Sequence, residues 1–358
     1  HDGFCLFDSR VSRHTAPRTA AGRDLVAEYV SAMRSAGLRV GLYYSLADWT
    51  QPAYFLGPQR DPEGFAQFVE YTHTQVRELC SNYGQVDVLW FDGGWPWSAT
   101  DWQSERLDAT IRGLQPYVWM NDRLHGGGVG NVAPVGDFSE RTQGYYDTAE
   151  QRAPGSPAGR PIESCRTSQH KWWGYHAGNR LWKDSKELVA TLAQTASAGA
   201  NLLYNVGPKP DGTIPAPFSR SLKEVGEWLA VNGEAVYGTG AGVGDTGTLG
   251  PTTTRGNHLY LHVLYWPGRE SNLYGFAGRV LSAELLATGQ PAHVSQDGLH
   301  IRLSGLPARP PDRFCSVIRI EFDAEPRTDP SFISLWQRGA DTQPLAQWAR
   351  RGCTEEEA

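Results

Sequence analysis

Two kinds of hydrophobic spacing alternate along the first two-thirds of this 358-residue chain, and that alternation restricts its fold more than any other feature. From Arg23 to Ala36, "RDLVAEYVSAMRSA", apolar residues recur at 25, 26, 29, 30 and 33, the period of a helix, and Gly37 follows as a stop. "LRVGLYYS" then reads as a strand. Asp61 to Tyr83 repeats the theme: Asp61 can cap, Pro62 suits the first turn, and Phe65, Phe68, Val69, Thr72, Val76 and Leu79 form one stripe. Next come the strand "DVLWFDGGW", a helix near Ser104 to Leu114, the strand "YVWMN" and a Gly-rich loop. "SKELVATLAQTASAG" reads as a further helix, "ANLLYNVGP" as a strand and "SRSLKEVGEWLAVNGEAVYG" as a helix. Strands and helices in this rhythm imply an α/β fold with a parallel sheet, which right-handed crossovers close most simply into a (β/α)8-like TIM barrel.

After about Tyr237 the texture changes to "GTGAGVGDTGTLGPTTTRG", followed by short period-two runs such as "HLYLHVLYW" and "LHIRLSGL" between turns. This predicts a small all-β sandwich domain. The expected division is a barrel over 1–238, a β-sandwich over 239–325 and a polar tail or appendage over 326–358.

Within the strand "DVLWFDGGW", Val88 to Phe91 are apolar and the run ends on Asp92 and two glycines. A continuous apolar run suits a strand covered on both faces. Its carboxyl end would then carry Asp92, and in helix-wrapped parallel barrels that edge is where active sites are built. A turn aspartate that satisfies local amides is the alternative reading.

The composition is that of an ordinary globular chain, with 40% hydrophobic and 20% charged residues and a net charge of -6. Mild acidity without a basic patch argues against nucleic acid as a partner. No stretch is apolar enough to span a membrane, so no membrane partner is expected either. The thirteen Trp and fifteen Tyr offer flat faces for sugar rings, although most must serve core packing. Cys5, Cys80, Cys165, Cys315 and Cys353 are widely separated and form no metal or redox motif, and no cofactor is expected. The chain begins at His1 with neither Met nor a signal peptide, so the natural amino terminus is expected to lie upstream.

Several expected strand ends carry polar or aromatic side chains: His1 and Asp2, Tyr43 and Tyr44, Trp90 and Asp92, and Arg123. Together with "RDLV", "GLYYSLADW", "LWFDGGW", "NDR", "TAEQ", "WWGY", "NLLYNVGPKPDGTIP" and "AVYGT", in this order from residue 1 to about 325, they resemble the α-L-fucosidases of glycoside hydrolase family 29. The family carries further residues before a "HHDGF" motif of which His1 is the second histidine. The resemblance thus implies a barrel lacking its first strands, and a secreted, periplasmic or lysosomal-like location.

The resemblance also implies a retaining exo-glycosidase that removes terminal α-L-fucosyl residues from a fucosylated glycan without a metal. Such chemistry needs a nucleophile and an acid/base about 5 to 5.5 Å apart. Asp92 matches the nucleophile. Glu150 in "YDTAEQ" resembles the acid/base segment, with Glu163 in "IESC" and Glu140 in "FSERT" as alternatives. His1, Tyr43, Trp90 and Arg123 match residues lining the fucose pocket, and Trp173 in "WWGY" is a candidate for its rim.

Each of these also has a structural alternative. Arg123 could pair with Asp122 on the surface, and one of Tyr43 and Tyr44 must face the helices. Two rival functions stand beside the enzyme: a non-catalytic carbohydrate-binding protein, and a metal-dependent barrel hydrolase using His1 and Asp2, for which no further ligand stands at the right spacing.

Overall fold

The computed structural model describes residues 1–125, 144–150, 161–244, 246–247 and 249–329. The expected tail from 330 onward, Cys353, Glu140 and the Glu150 side chain lie outside this described part. The chain is mixed α/β and divides into two compact units, residues 1–150 with 155–163, and 151–154 with the chain from Ser164 onward.

The first unit carries helices α1 (Leu25–Ser35), α2 (Pro52–Arg60), α3 (Pro62–Asn82) and α4 (Ser104–Leu114). It also carries strands β1 (Gly41–Ser45), β2 (Val88–Asp92), β3 (Trp119–Asn121) and β4 (Tyr145–Glu150), and the start of β5 (Ile162–Thr167). Strands β1 to β4 pair in sequence order and all three pairings are parallel, as the strand and helix rhythm requires. The helix starts follow the capping signals. Asp24 accepts the Ala27 amide at 2.9 Å and Asp61 the Gly64 amide at 2.9 Å.

One face of the sheet makes the core. Leu42, Tyr44, Leu89, Phe91 and Met120 pack with the stripe Phe65, Phe68, Val69, Val76 and Leu79 and with Leu107 and Ile111. Each such side chain contributes roughly 1.5 to 3 kcal/mol on burial. Tyr44 belongs to this face, where its hydroxyl donates to Gln75 Oε1 at 2.7 Å. Successive strand residues point to opposite faces, so Tyr43, Trp90 and Asp92 are left on the other one.

Helix α2 has no counterpart in the sequence-based expectation because Gly57 and Pro58 read as turn formers. Gly57 adopts a positive φ of 72°, and a Cβ there would lie 1.9 Å from the Trp97 ring. The position therefore needs glycine twice over.

The second unit contains α5 (Ser185–Ser197), β6 (Asn201–Asn205) and α6 (Ala216–Asn232), and then an all-antiparallel region. Its strands are β7 (Thr252–Arg255), β8 (His258–Val263), β9 (Glu270–Tyr274), β10 (Phe276–Ala277), β11 (Val280–Leu285), β12 (His293–Asp297), β13 (His300–Ser304), β14 (Ser316–Phe322) and β15 (Arg327–Thr328). They form sheets in the orders β11-β14-β8-β7, β12-β13-β9 and β10-β15. Strand β8 is buried on both sides. Leu259 and Leu261 join a core with Leu273, Ile301, Ile320 and Phe322, while Tyr260 joins Phe218, Val225 and Trp228 from α6. The Trp228 indole donates to the Cys315 carbonyl at 2.8 Å, fixing α6 to the residue before β14.

Candidate active site

Asp92 is the last residue of β2, in register with Ser45 of β1. Three local features hold it there. The Asn121 side chain accepts from the Phe91 amide and donates to the Phe91 carbonyl, both at 2.9 Å, and so replaces the strand ladder where the β2 and β3 pairing ends. The Asp92 carbonyl accepts the Leu46 amide at 2.7 Å. Gly93 turns the chain at a φ of 68°, where a Cβ would stand 2.8 Å from that of Ala47, so a side chain at this position would push the turn away.

Each oxygen of the Asp92 carboxylate has its own donor. Arg123 Nη1 donates to Oδ1 at 2.6 Å and the Tyr43 hydroxyl to Oδ2 at 2.9 Å. The Arg123 side chain is only 3% exposed, so the surface pairing with Asp122 weighed from sequence is not its role. Its guanidinium lies 4.6 Å from the Trp90 ring and 5.9 Å from that of Trp95, a cation within reach of two indole faces. Tyr43 stacks on Trp90 at 5.7 Å with the planes 21° apart, two residues before Asp92 in the paired register. Desolvation of its hydroxyl, and then the Asp92 charge, hold that phenol in the neutral, donating form.

A second carboxyl is tied to this group through Trp90, whose indole nitrogen donates to Glu163 Oε1 at 2.9 Å. Burial pushes the Glu163 carboxyl above its ordinary range and the charge of Asp122 pushes the same way, while the Trp90 donor and Arg123 oppose them. Asp122 is itself raised to about 6, by burial and by Asp147, although Arg123 and the Thr148 amide at 3.3 Å work against the shift. Two carboxyls are thus linked through one indole and one guanidinium in contrasting surroundings: Asp92 is gripped by a cation, and Glu163 is desolvated and inclined to hold a proton.

His1 stacks on Trp49 at 4.0 Å and bonds Asp2 at 2.8 Å, and it lines a cavity of about 410 Å3 together with Tyr43, Ser45 and Asp48. Trp173 belongs to the second unit, in the loop after β5, and is 40% exposed. Glu150 closes β4. The sequence motifs alone assign Asp122 and Trp95 no part in the pocket. Both stand inside the quoted motifs, "NDR" and "LWFDGGW", but their surroundings are made by residues distant in the chain. Among the described residues no three His, Cys, Asp or Glu side chains are placed to hold a metal ion, and no helix is long and apolar enough to cross a membrane.

Known proteins share both the sequence and the backbone. The sequence profile described as Alpha-L-fucosidase matches residues 1–234. The plasma α-L-fucosidase of Homo sapiens is 34% identical over 325 residues, covering 86% of this chain and 67% of its own length. Among solved structures, α-L-fucosidase isoenzyme 1 from Paenibacillus thiaminolyticus superposes with a TM-score of 0.78 at 35% identity, over 90% of this chain and 81% of that one. A glycoside hydrolase family 29 α-L-fucosidase from Bacteroides thetaiotaomicron, solved as a trapped covalent intermediate, superposes with a TM-score of 0.78 at 26% identity, over 90% of this chain and 76% of that one. With a family profile spanning well over half of its residues and relatives alike in sequence and backbone, the chain belongs to the α-L-fucosidase family.

Proposed function

We propose that this protein is a retaining exo-glycosidase that hydrolyses terminal α-L-fucosyl residues from fucosylated glycans, with Asp92 as nucleophile and Glu163 as acid/base. The observation that carries this reading is the pair of contrasting carboxyls joined through Trp90 and Arg123. In the first step an Asp92 oxygen attacks the anomeric carbon while the Glu163 proton passes to the departing glycosidic oxygen. The C–O bond to the leaving group breaks and a fucosyl ester of Asp92 forms. In the second step the Glu163 carboxylate takes a proton from water, whose oxygen displaces Asp92, and the original configuration returns.

Arg123 and Tyr43 keep the carboxylate plane fixed through both displacements, and Trp90 offers a ring face to the sugar while orienting Glu163. Glu163 is preferred to Glu150 because its burial and its bond to Trp90 supply what a proton donor needs. Tyr43, Trp90 and Arg123 are assigned to the fucose pocket and His1 to its margin.

We read the parallel sheet as part of a (β/α)8-like barrel, with a catalytic role for residues 1–238 and a supporting β-sandwich over 239–325. The parallel β1 to β4 pairings and the antiparallel sheets support this reading. The functional test is proton NMR of the first sugar released from an α-L-fucoside. The α-anomer of fucose is expected. Initial release of the β-anomer would exclude double displacement, and binding of fucose without turnover would make the protein a lectin-like member of its family.

A further inference from the structure

We propose that the Trp95 indole is the stacking platform for the sugar that leaves, the pyranose ring to which the fucosyl group is attached. This rests on the fucosidase reading above and adds to it the class of group recognised beyond fucose: a ring-shaped glycan leaving group rather than a small or linear one.

The first argument is the way the residue is mounted. Trp95 follows the Asp92-Gly93-Gly94 turn, in a segment pinned from three directions. The Tyr54 hydroxyl donates to the Trp95 carbonyl at 2.7 Å, the Trp102 indole donates to the Gly94 carbonyl at 2.6 Å, and the Trp97 amide donates to that same carbonyl at 3.2 Å. Tyr54 and Trp102 are buried, at 8% and 2% exposed, so two of the three pins are core residues. Trp95 as a residue nonetheless remains 41% exposed. A fixed backbone presenting a large indole to solvent differs from a scattered surface aromatic, since little ordering entropy is left to lose when a flat ligand settles on it.

The second argument is position. The Arg123 guanidinium that grips Asp92 lies over both the Trp90 and the Trp95 rings, at 4.6 and 5.9 Å. Trp90 belongs to the strand, stacks with Tyr43 and is tied to Glu163, so its place is with the sugar undergoing attack. Trp95 lies 5.9 Å from the same guanidinium, on the loop beyond the strand end. In an exo-hydrolase the fucosyl ring is nearest the nucleophile and the leaving ring projects outward, past the strand end. The face of an indole is electron-rich and apolar and suits the C–H face of a pyranose, whose hydroxyls can stay in water.

The test compares two substrates that share the fucosyl group. In α-L-fucosyl fluoride the leaving group has no ring, whereas in a fucosyl-galactose disaccharide it has one. In Trp95→Ala and Trp95→Leu, the ratio of kcat/KM on the disaccharide to that on the fluoride should fall roughly tenfold or more relative to the parent, the worth of one aromatic stacking contact. Trp95→Phe, which keeps a ring, should hold most of that ratio, and Leu guards against a simple packing defect. An unchanged ratio in all three variants overturns the proposal. An equal loss on both substrates, Phe included, would also overturn it, since the ring would then act on fucose or through Arg123. A parent protein that cleaves neither substrate would instead sink the fucosidase reading, a failure seen before any variant is made.

Discussion

Arg123→Met removes a cation that grips the candidate nucleophile while keeping an unbranched apolar stem beneath Trp90. The Arg123 side chain is 3% exposed and Asp92 24% exposed, with 2.6 Å between nitrogen and oxygen. Breaking a fully buried pair by removing one partner costs about 3 to 5 kcal/mol, because the remaining charge is left uncompensated. Water can reach part of Asp92 and the Tyr43 bond survives, so the loss falls at the low end, roughly 3 kcal/mol. Contact of the cation with two indoles adds on the order of 1 kcal/mol, part of which Met packing restores. Urea unfolding at pH 7 of the parent, Arg123→Met, Asp92→Asn and the double variant closes a thermodynamic cycle. The double variant should regain stability over Arg123→Met, because no buried charge is then left alone, with a coupling of roughly 2 kcal/mol. Fucosyl fluoride hydrolysis by Arg123→Met should fall by roughly 10² or more. A stability loss below about 1 kcal/mol, with no coupling, is the behaviour of an exposed pair and would refute the reasoning.

Three further outcomes follow from the carboxyls and from one buried histidine. Glu163→Ala should lose roughly 10² to 10⁴ in rate on leaving groups that need protonation. It should lose far less on fucosyl fluoride, and azide should restore turnover by displacing Asp92 and yield an α-fucosyl azide; parent-like rates on poor leaving groups would pass the role to Glu150. The folded-state carboxyl of Asp122 is raised from 3.8 to about 6, so its contribution to stability is complete below pH 3.8 and is lost as pH rises through 6. Asp122→Asn should therefore gain up to roughly 3 kcal/mol at pH 7 and nothing near pH 3.5, and an equal effect of the substitution at both pH values in urea titrations would contradict that origin. His262 is buried in β8 and lowered by desolvation to about 4, so native stability is complete above pH 6.5 and falls by up to roughly 3 kcal/mol as pH drops toward 4. His262→Gln should flatten that slope between pH 6.5 and 4, and an unchanged slope would place the acid sensitivity elsewhere.

Much of the site was legible in the sequence because it is built on strand periodicity. Once "LYYS" and "LWFD" are parallel neighbours, alternation places one of Tyr43 and Tyr44 beside Trp90 and Asp92, and burial of Tyr44 against Gln75 decides which. Arg123 could be named from "NDR", but its partner could not, since the choice between Asp122 and Asp92 depends on where the turn Asp122–His125 directs the side chain.

The proton donor was left among three glutamates because a proton-holding carboxyl is defined by its surroundings. Burial of Glu163 and its Trp90 donor arise from residues 73 positions apart in the chain. Strands β4 and β5 were not anticipated, since "YYDTAE" and "IESCRT" carry polar residues throughout, and α2 was hidden by Gly57 and Pro58. The domain-scale change of texture near Tyr237 is visible as period-two patterning, whereas the packing of Trp228 in α6 with Tyr260 and Val317 is a tertiary contact that no local pattern signals.

The central claim is that Asp92 becomes covalently bound to fucose. It is tested most directly by incubating the protein with 2-fluoro-fucosyl fluoride, whose fluorine at C2 slows breakdown of the glycosyl-enzyme more than its good leaving group slows formation. Peptide mass spectrometry then locates the label. The account predicts one fluorofucosyl group per chain, esterified to Asp92 in the peptide containing "DVLWFDGGW", and none in Asp92→Asn. A label on Glu163 or any other residue, or steady turnover of the reagent with no ester at any time, would contradict it.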